Sequence, residues 1–254
     1  MGLEVYSLEG KTAVVTGASR GFGEAIAVGL AEAGADVVLA ARTESALREV
    51  AAGIEALGRR ALVVPTDMMD KTAIDNLADK AIEAFGKIDI LVNNAGFGSN
   101  LPFLKIPEEE WDRTLNINLK GYFLTTQAIG KHMFKVKAGR VINISSAMGE
   151  SPMPYVAHYA ASKGGINAMT RSLAQEWANF GITVNAIAPS YFETDMTKDA
   201  RENEMANALI MSKTPLARYG KVSELVGLVI YLASDSSSYM TGAVIPLDGG
   251  WSAG

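Results

Sequence analysis

Tyr159 and Lys163 stand four residues apart in HYAASKGG (158–165), a spacing that puts both side chains on one helix face about one turn apart. An ammonium beside a phenol favours phenolate and lowers a pKa that starts near ~10. The pair could therefore give or take a proton near neutral pH. A Tyr–Lys pair at this spacing is by itself usually an ordinary surface contact, so its setting has to decide. Ser145 and Ser146 lie just upstream in NISSAMG (143–149), where a hydroxyl could steady charge developing on a substrate oxygen. Near the N-terminus, TGASRGFG (16–23) offers a different chemistry. Gly17 permits a tight turn, Gly21 lets backbone approach a pyrophosphate, and Gly23 lets a helix pack closely on a strand, with the helix N-terminus favouring negative charge. A glycine trio alone is weak; a strand before it and a helix after it are what it needs.

Those elements are legible. Aliphatic and β-branched runs recur at 12–17, 36–41, 61–66, 88–93, 139–145, 182–188 and 243–247, and they read as seven buried strands. Between them lie Ala-rich amphipathic segments of helical length, among them 24–34, 44–58 and 71–86, several closed by Gly. Alternation of strand and helix demands right-handed crossovers, hence an α/β doubly wound parallel sheet with helices on both faces. One domain accounts for residues 1–254. The least regular stretch, 189–220, leaves the carboxyl end of the sixth strand, where such folds bind ligands, and is the expected substrate lid.

Composition narrows the chemistry. The chain of 254 residues carries a formal charge of −5 and a pI near 5.2, which gives no basic surface for nucleic acid; KHMFKVKAGR (131–140) reads as a solvated helix end. There is no cysteine and there are two histidines, His132 and His158, so disulfides, thiol nucleophiles and a metal site are not expected. His158 reads as a neighbour of the Tyr–Lys pair rather than a catalyst. The N-terminal MGLEVYSLEGK has no signal-peptide pattern, Tyr6 stands where acylation of Gly2 wants Ser or Thr, and no apolar run could span a bilayer. A soluble, cytoplasmic protein is the expectation, with no membrane partner.

Four separated motifs, TGxxxGxG at 16–23, NNAG at 93–96, Ser146 thirteen residues before YxxxK, and DGG at 248–250, together resemble the short-chain dehydrogenase/reductase family over essentially the whole chain. The resemblance implies a Rossmann-type fold and hydride transfer between a nicotinamide cofactor and a carbonyl or secondary alcohol. It selects Ser146 over Ser145 and Asn118 over Asn116, and implies a catalytic set of Asn118, Ser146, Tyr159 and Lys163. Asn118 would kink a helix and position a water leading from Lys163 to solvent. For the cofactor it implies the loop Gly17, Ser19, Arg20, Gly21, Phe22 and Gly23, then Asp67 and Met68 at the adenine, and Asn94, Ala95 and Gly96 at the ribose. Tyr159 and Lys163 would reach the nicotinamide ribose, and Pro189, Phe192 and Thr194 the nicotinamide. The family usually has Gly after that proline; here Ser190 follows.

Charge favours NADP(H) over NAD(H). The second strand ends Ala40–Ala41–Arg42, with no acid to repel a 2′-phosphate, and Arg20 supplies a second cation. The expected activity is that of a ketone reductase or alcohol dehydrogenase. Alternatives are a 3-oxoacyl-acyl-carrier-protein reductase, disfavoured because Phe180 stands where such relatives often carry Arg, a sugar-acid dehydrogenase of the gluconate type, and a nucleotide-responsive module without turnover. The longer epimerase and dehydratase branch, which carries an extra C-terminal substrate domain, is not expected from these 254 residues. Met148, Met153, Tyr155, Tyr191, Phe192 and Met196 suggest an apolar cavity, and no arginine or lysine lies in the 147–158 turn to grip a carboxylate, so a weakly polar substrate is expected. By resemblance the protein is a homotetramer, through helices near 111–136 and 158–179 and the strand near 247–250.

Overall fold

The β-branched runs form strands because both of their faces are covered, and the Ala-rich segments supply the cover. In the computed structural model, which describes residues 3–253, the order is β1 (Thr12–Thr16), α1 (Gly21–Glu32), β2 (Asp36–Ala41), α2 (Glu44–Ala56), β3 (Ala61–Pro65), α3 (Lys71–Phe85) and β4 (Ile90–Asn93). It continues with α4 (Glu108–Leu115), a π-turn over Asn116–Lys120, α5 (Gly121–Val136), β5 (Gly139–Ile144), α6 (Ala157–Trp177) and β6 (Ile182–Pro189). The short α7 (Lys198–Glu202) and α8 (Glu204–Lys213) follow, then α9 (Val222–Ala233) and β7 (Val244–Leu247). Met1 and Gly2, on which the acylation reading rests, lie outside the described residues. All seven expected strands are present, with ends moved by at most two positions.

The sheet is wholly parallel in the order β3-β2-β1-β4-β5-β6-β7. Alternation along each strand splits the core in two. Val15 and Val92 face α1 and α9, where Ile26, Leu30, Leu225 and Val229 are buried. Val14 and Leu91 face the opposite layer, with Ile74, Leu77, Ile129 and Trp177. Each of these buried side chains contributes about 1.5–3 kcal/mol relative to exposure.

Strand order reverses between β1 and β4, and at such a switch point the two connections leave in opposite directions and open a crevice at the carboxyl edge. The glycine loop after β1 and NNAG at the end of β4 both meet there. After β6 the chain leaves as an excursion containing α7 and α8 and returns so that Phe192 and Gly220 pair as an isolated parallel bridge. Among the described residues no helix is long and apolar enough to cross a membrane.

Candidate active site

The glycine loop is shaped by close approach to the end of β4. Gly17 has φ +67°, and a Cβ there would lie 2.8 Å from Ala95 Cα. At Gly23 a Cβ would lie 2.1 Å from the Gly17 carbonyl oxygen. Asn94 clasps the loop from the other side, its Nδ2 donating to the carbonyls of Thr16 at 2.9 Å and Gly17 at 3.3 Å. The Thr16 hydroxyl accepts from the amides of Asn94 and Ala95. Gly21, at φ +59°, has nothing within 4 Å of its Cβ position, so the loop is tight below and open above. That cradle fits a dinucleotide's pyrophosphate.

Other residues expected at the cofactor surround this crevice. Asp67 accepts from the Met69 amide at 2.9 Å while Met68 turns inward and is buried. Phe192 packs edge-on to Phe22 with ring centroids 5.1 Å apart, which ties the start of the excursion to the glycine loop. Thr194 and Thr197 form a capping box just beyond it. Ser190 leaves the backbone without strain: it is not among the residues with positive φ, and its hydroxyl donates to the Asp248 carbonyl at 3.0 Å. Arg20 and Arg42 are both exposed. Arg20 approaches Asp195 at 3.9 Å, with both side chains nearly four-fifths exposed, and such a pair is worth about 0–1 kcal/mol. Its guanidinium stays available to a stronger partner.

The structure brings Asn118, Ser146, Tyr159 and Lys163 together. Tyr159 and Lys163 occupy one face of α6, and the Lys163 ammonium donates to the Ile144 carbonyl at 2.7 Å, 5.6 Å from the Tyr159 ring centre. Burial pulls Lys163 down to about 7. Burial likewise pushes the Tyr159 phenol up, opposed by a hydrogen bond with Ser146. The direction is opposite to the one the ammonium alone would give: Nζ is engaged by a backbone carbonyl rather than by the phenol, and desolvation is the largest influence on the phenol. Ser146 and Ser145 point to opposite sides of the chain. Ser146 lies on the phenol's side, where it opposes the rise in the phenol's pKa and accepts from the Met148 amide at 3.2 Å, and Ser145 donates backwards to Asn167 at 2.6 Å.

Asn118 is fully buried in the π-turn. Its Oδ1 accepts from the Phe97 amide at 2.8 Å, and its Nδ2 donates to the Phe97 carbonyl at 2.8 Å and to Ser162 at 3.0 Å. An extra residue in the turn, as such bulges at functional sites provide, aims this side chain across to α6. Gly96 lies next to Lys163, with its Cβ position 3.9 Å from Nζ.

Beside the phenol lies an apolar wall of Ala147, Met148, Ile210 and Trp251, against which Met153, Tyr159, Tyr191, Met211 and Tyr219 pack. Three expected wall residues are placed otherwise. Tyr155 (61% exposed) and Met196 (65%) face outwards, because a positive φ of 72° turns Tyr155 away and Met196 sits on the outer side of the excursion; Phe192 belongs to the core under the glycine loop. Sequence reasoning missed Ile210, Tyr219 and Trp251. Trp251 could have been suspected as an aromatic directly after DGG, whereas no local pattern marks Ile210. Lys213 reaches over the Trp251 ring, with Nζ 5.7 Å from its centre. Among the described residues no cluster of three or more His, Asp or Glu side chains could hold a metal.

The short chain dehydrogenase family model matches residues 11–205, and the chain belongs to that family. A 2-dehydro-3-deoxy-D-gluconate 5-dehydrogenase of Escherichia coli is 42% identical, with 98% of each chain covered. A 3-oxoacyl-[acyl-carrier-protein] reductase of Thermotoga maritima is 39% identical over 96% of this chain and 98% of its own. Among solved structures, a gluconate 5-dehydrogenase from Burkholderia cenocepacia in complex with NADP and tartrate superposes with a TM-score of 0.96 at 34% identity, covering 99% of both chains. The protein is an oxidoreductase that interconverts a carbonyl and a CH–OH group.

Proposed function

We propose that this protein reduces a weakly polar ketone with NADPH, and oxidises the corresponding secondary alcohol in reverse, using Tyr159 as proton donor. The observation that carries the reading is the half-buried phenol set between Ser146 and an apolar wall, with its proton held by desolvation. NADP(H), which fits the cradle at Gly17–Gly23, would supply or accept the hydride at the substrate carbon. Tyr159 gives its hydroxyl proton to the carbonyl oxygen, and Ser146 donates a second hydrogen bond to that oxygen as it gains charge. Lys163, near 7, would hold the ribose hydroxyls and return a proton to the phenol through them, with Asn118 holding the turn through which water reaches the lysine. Asp67, Met68, Asn94, Ala95 and Gly96 hold the adenosine half; Pro189, Phe192 and Thr194 hold the nicotinamide half. The 189–220 excursion acts as the lid.

Arg20 and Arg42 hold the 2′-phosphate. Alanine at either position should raise KM for NADPH about tenfold and leave KM for NADH unchanged, since a charge-assisted bond is worth ~1.5–3 kcal/mol before solvent screening. Equal effects on both cofactors would remove the assignment.

A second reading, a sugar-acid substrate, is favoured by Lys213 over Trp251 and by the names of the relatives. Identity does not choose between substrates, because relatives with unlike substrates lie only three percentage points apart (42% against 39%). Turnover across a panel of cyclic and aryl ketones, 5-ketogluconate and a 3-oxoacyl thioester decides: the highest kcat/KM is expected on an uncharged ketone, and a best result on the keto acid replaces the first reading by the second. We further propose a cytoplasmic homotetramer, supported by the exposed Phe123 on α5 and by β7 as an open sheet edge.

A further inference from the structure

His158 takes no part in this chemistry, yet it is fully buried next to Tyr159. Its Nε2 lies 2.9 Å from the Ser99 hydroxyl, which donates to Glu110 Oε1 at 2.5 Å. A serine has one proton to give. With that proton committed to the carboxylate, the Ser99 oxygen can only accept from the imidazole, so Nε2 carries hydrogen, and in the neutral ring Nδ1 is then a bare lone pair. Nδ1 is buried and has no partner, which is a cost that packing alone gives no reason to bear. The bond to Ser99 is what the imidazole contributes.

That bond falls in the middle of the loop after β4. Asn118 holds the loop at Phe97 through both backbone groups, and the Leu101 amide donates to the Tyr155 carbonyl at 2.8 Å. Between those ties, Gly98 lies against the edge of the Tyr159 ring, its Cβ position 3.0 Å from Cδ2 and 3.3 Å from Cε2. Ser99 is the next residue.

We propose that Glu110, Ser99 and His158 form a chain that fastens this loop to α6 and presses Gly98 against the Tyr159 ring, which makes His158 and Ser99 positioning residues for the proton donor. The proposal rests on the reading of Tyr159 given above. It goes further by assigning the ring's placement to a side chain one residue away and to a carboxylate on α4. Glu110 is half-buried, so the chain also links the ring's placement to the solvent-facing side of α4.

The test compares Ser99→Ala, His158→Leu, His158→Gln and Tyr159→Phe. Ser99→Ala and His158→Leu should each lower kcat about ten- to hundredfold, the range for one buried bond anchored on a charged acceptor, with KM for NADPH within about twofold of the parent. His158→Gln, whose amide can donate to Ser99 from nearly the same place, should recover kcat to within about threefold. With only two histidines in the chain, imidazole ¹⁵N spectra are simple, and the His158 Nε2–H tautomer should be visible and lost in Ser99→Ala. Equal losses in His158→Gln and His158→Leu, or an unchanged kcat in Ser99→Ala while Tyr159→Phe is inactive, overturn the proposal. Activity retained by Tyr159→Phe overturns the reading of Tyr159 itself, and the positioning role with it.

Discussion

Tyr159→Phe is expected to lower kcat for ketone reduction by about 10³- to 10⁴-fold, the upper part of what a general acid contributes, and to leave the Kd for NADPH within about twofold. The phenol is half-buried beside Ser146 and its pKa is raised by desolvation, so at neutral pH it keeps its proton and is ready to donate. Phenylalanine keeps the ring against Gly98 and the apolar wall and deletes only the oxygen. Thermal stability should scarcely change, because a well-packed ring remains and one buried polar atom is gone. Ser146 and Lys163 cannot substitute. The serine hydroxyl is a far weaker acid, and the Lys163 ammonium is held 2.7 Å from the Ile144 carbonyl. Steady-state rates with separate measurement of NADPH binding decide the matter; a residual kcat above about a tenth of the parent value would falsify the assignment.

Gly23→Ala should disable the protein for a different reason. The added methyl would sit 2.1 Å from the Gly17 carbonyl oxygen, 2.6 Å from Asn94 Nδ2 and 2.7 Å from the Gly17 carbonyl carbon. Two of those three atoms are backbone, so no side-chain rotation relieves the clash. The loop must lift off the end of β4 and lose the Asn94 clasp at Thr16 and Gly17. Overpacking of this kind costs about 1–3 kcal/mol, or roughly 5 °C in Tm for a chain of this size. NADPH affinity should fall further, by about a hundredfold or more, because the displaced amides are those that would face the pyrophosphate. Gly53→Ala is the control. Gly53 lies inside α2 with nothing within 4 Å of its Cβ position, and alanine there should stabilise by about 0.5–1 kcal/mol. Similar Tm and NADPH affinity in the two variants would refute the steric account.

Much of the site was legible because its positions are tied to local geometry. The i, i+4 relation of Tyr159 and Lys163 holds in any helix, and a glycine loop between strand and helix needs only neighbouring elements to form. Ser146 against Ser145 was half-legible: alternation separates them, and which of them faces the cleft depends on the layer that α6 occupies, where Asn167 takes Ser145. The proton affinities were not legible. The ammonium looked like the dominant influence on the phenol from spacing alone, and burial, which spacing does not encode, reverses the sign. The apolar wall divided in the same way. Met148 and Tyr191 fall where the turn and excursion suggest, whereas Ile210 and Trp251 arrive from segments 59 and 100 residues beyond Ser151.

By itself the sequence determined the strand and helix alternation, the parallel doubly wound sheet, the family and the placing of Tyr159 and Lys163 on one helix face, because periodicity, turn chemistry and fixed spacing act over a few residues. Only the tertiary structure decided how His158 is used, which wall residues face the phenol, and how far burial shifts Tyr159 and Lys163. Those outcomes depend on which distant atoms exclude water from HYAASKGG and which hydrogen bonds replace it. That exclusion is a property of packed layers, and no single stretch of chain carries it.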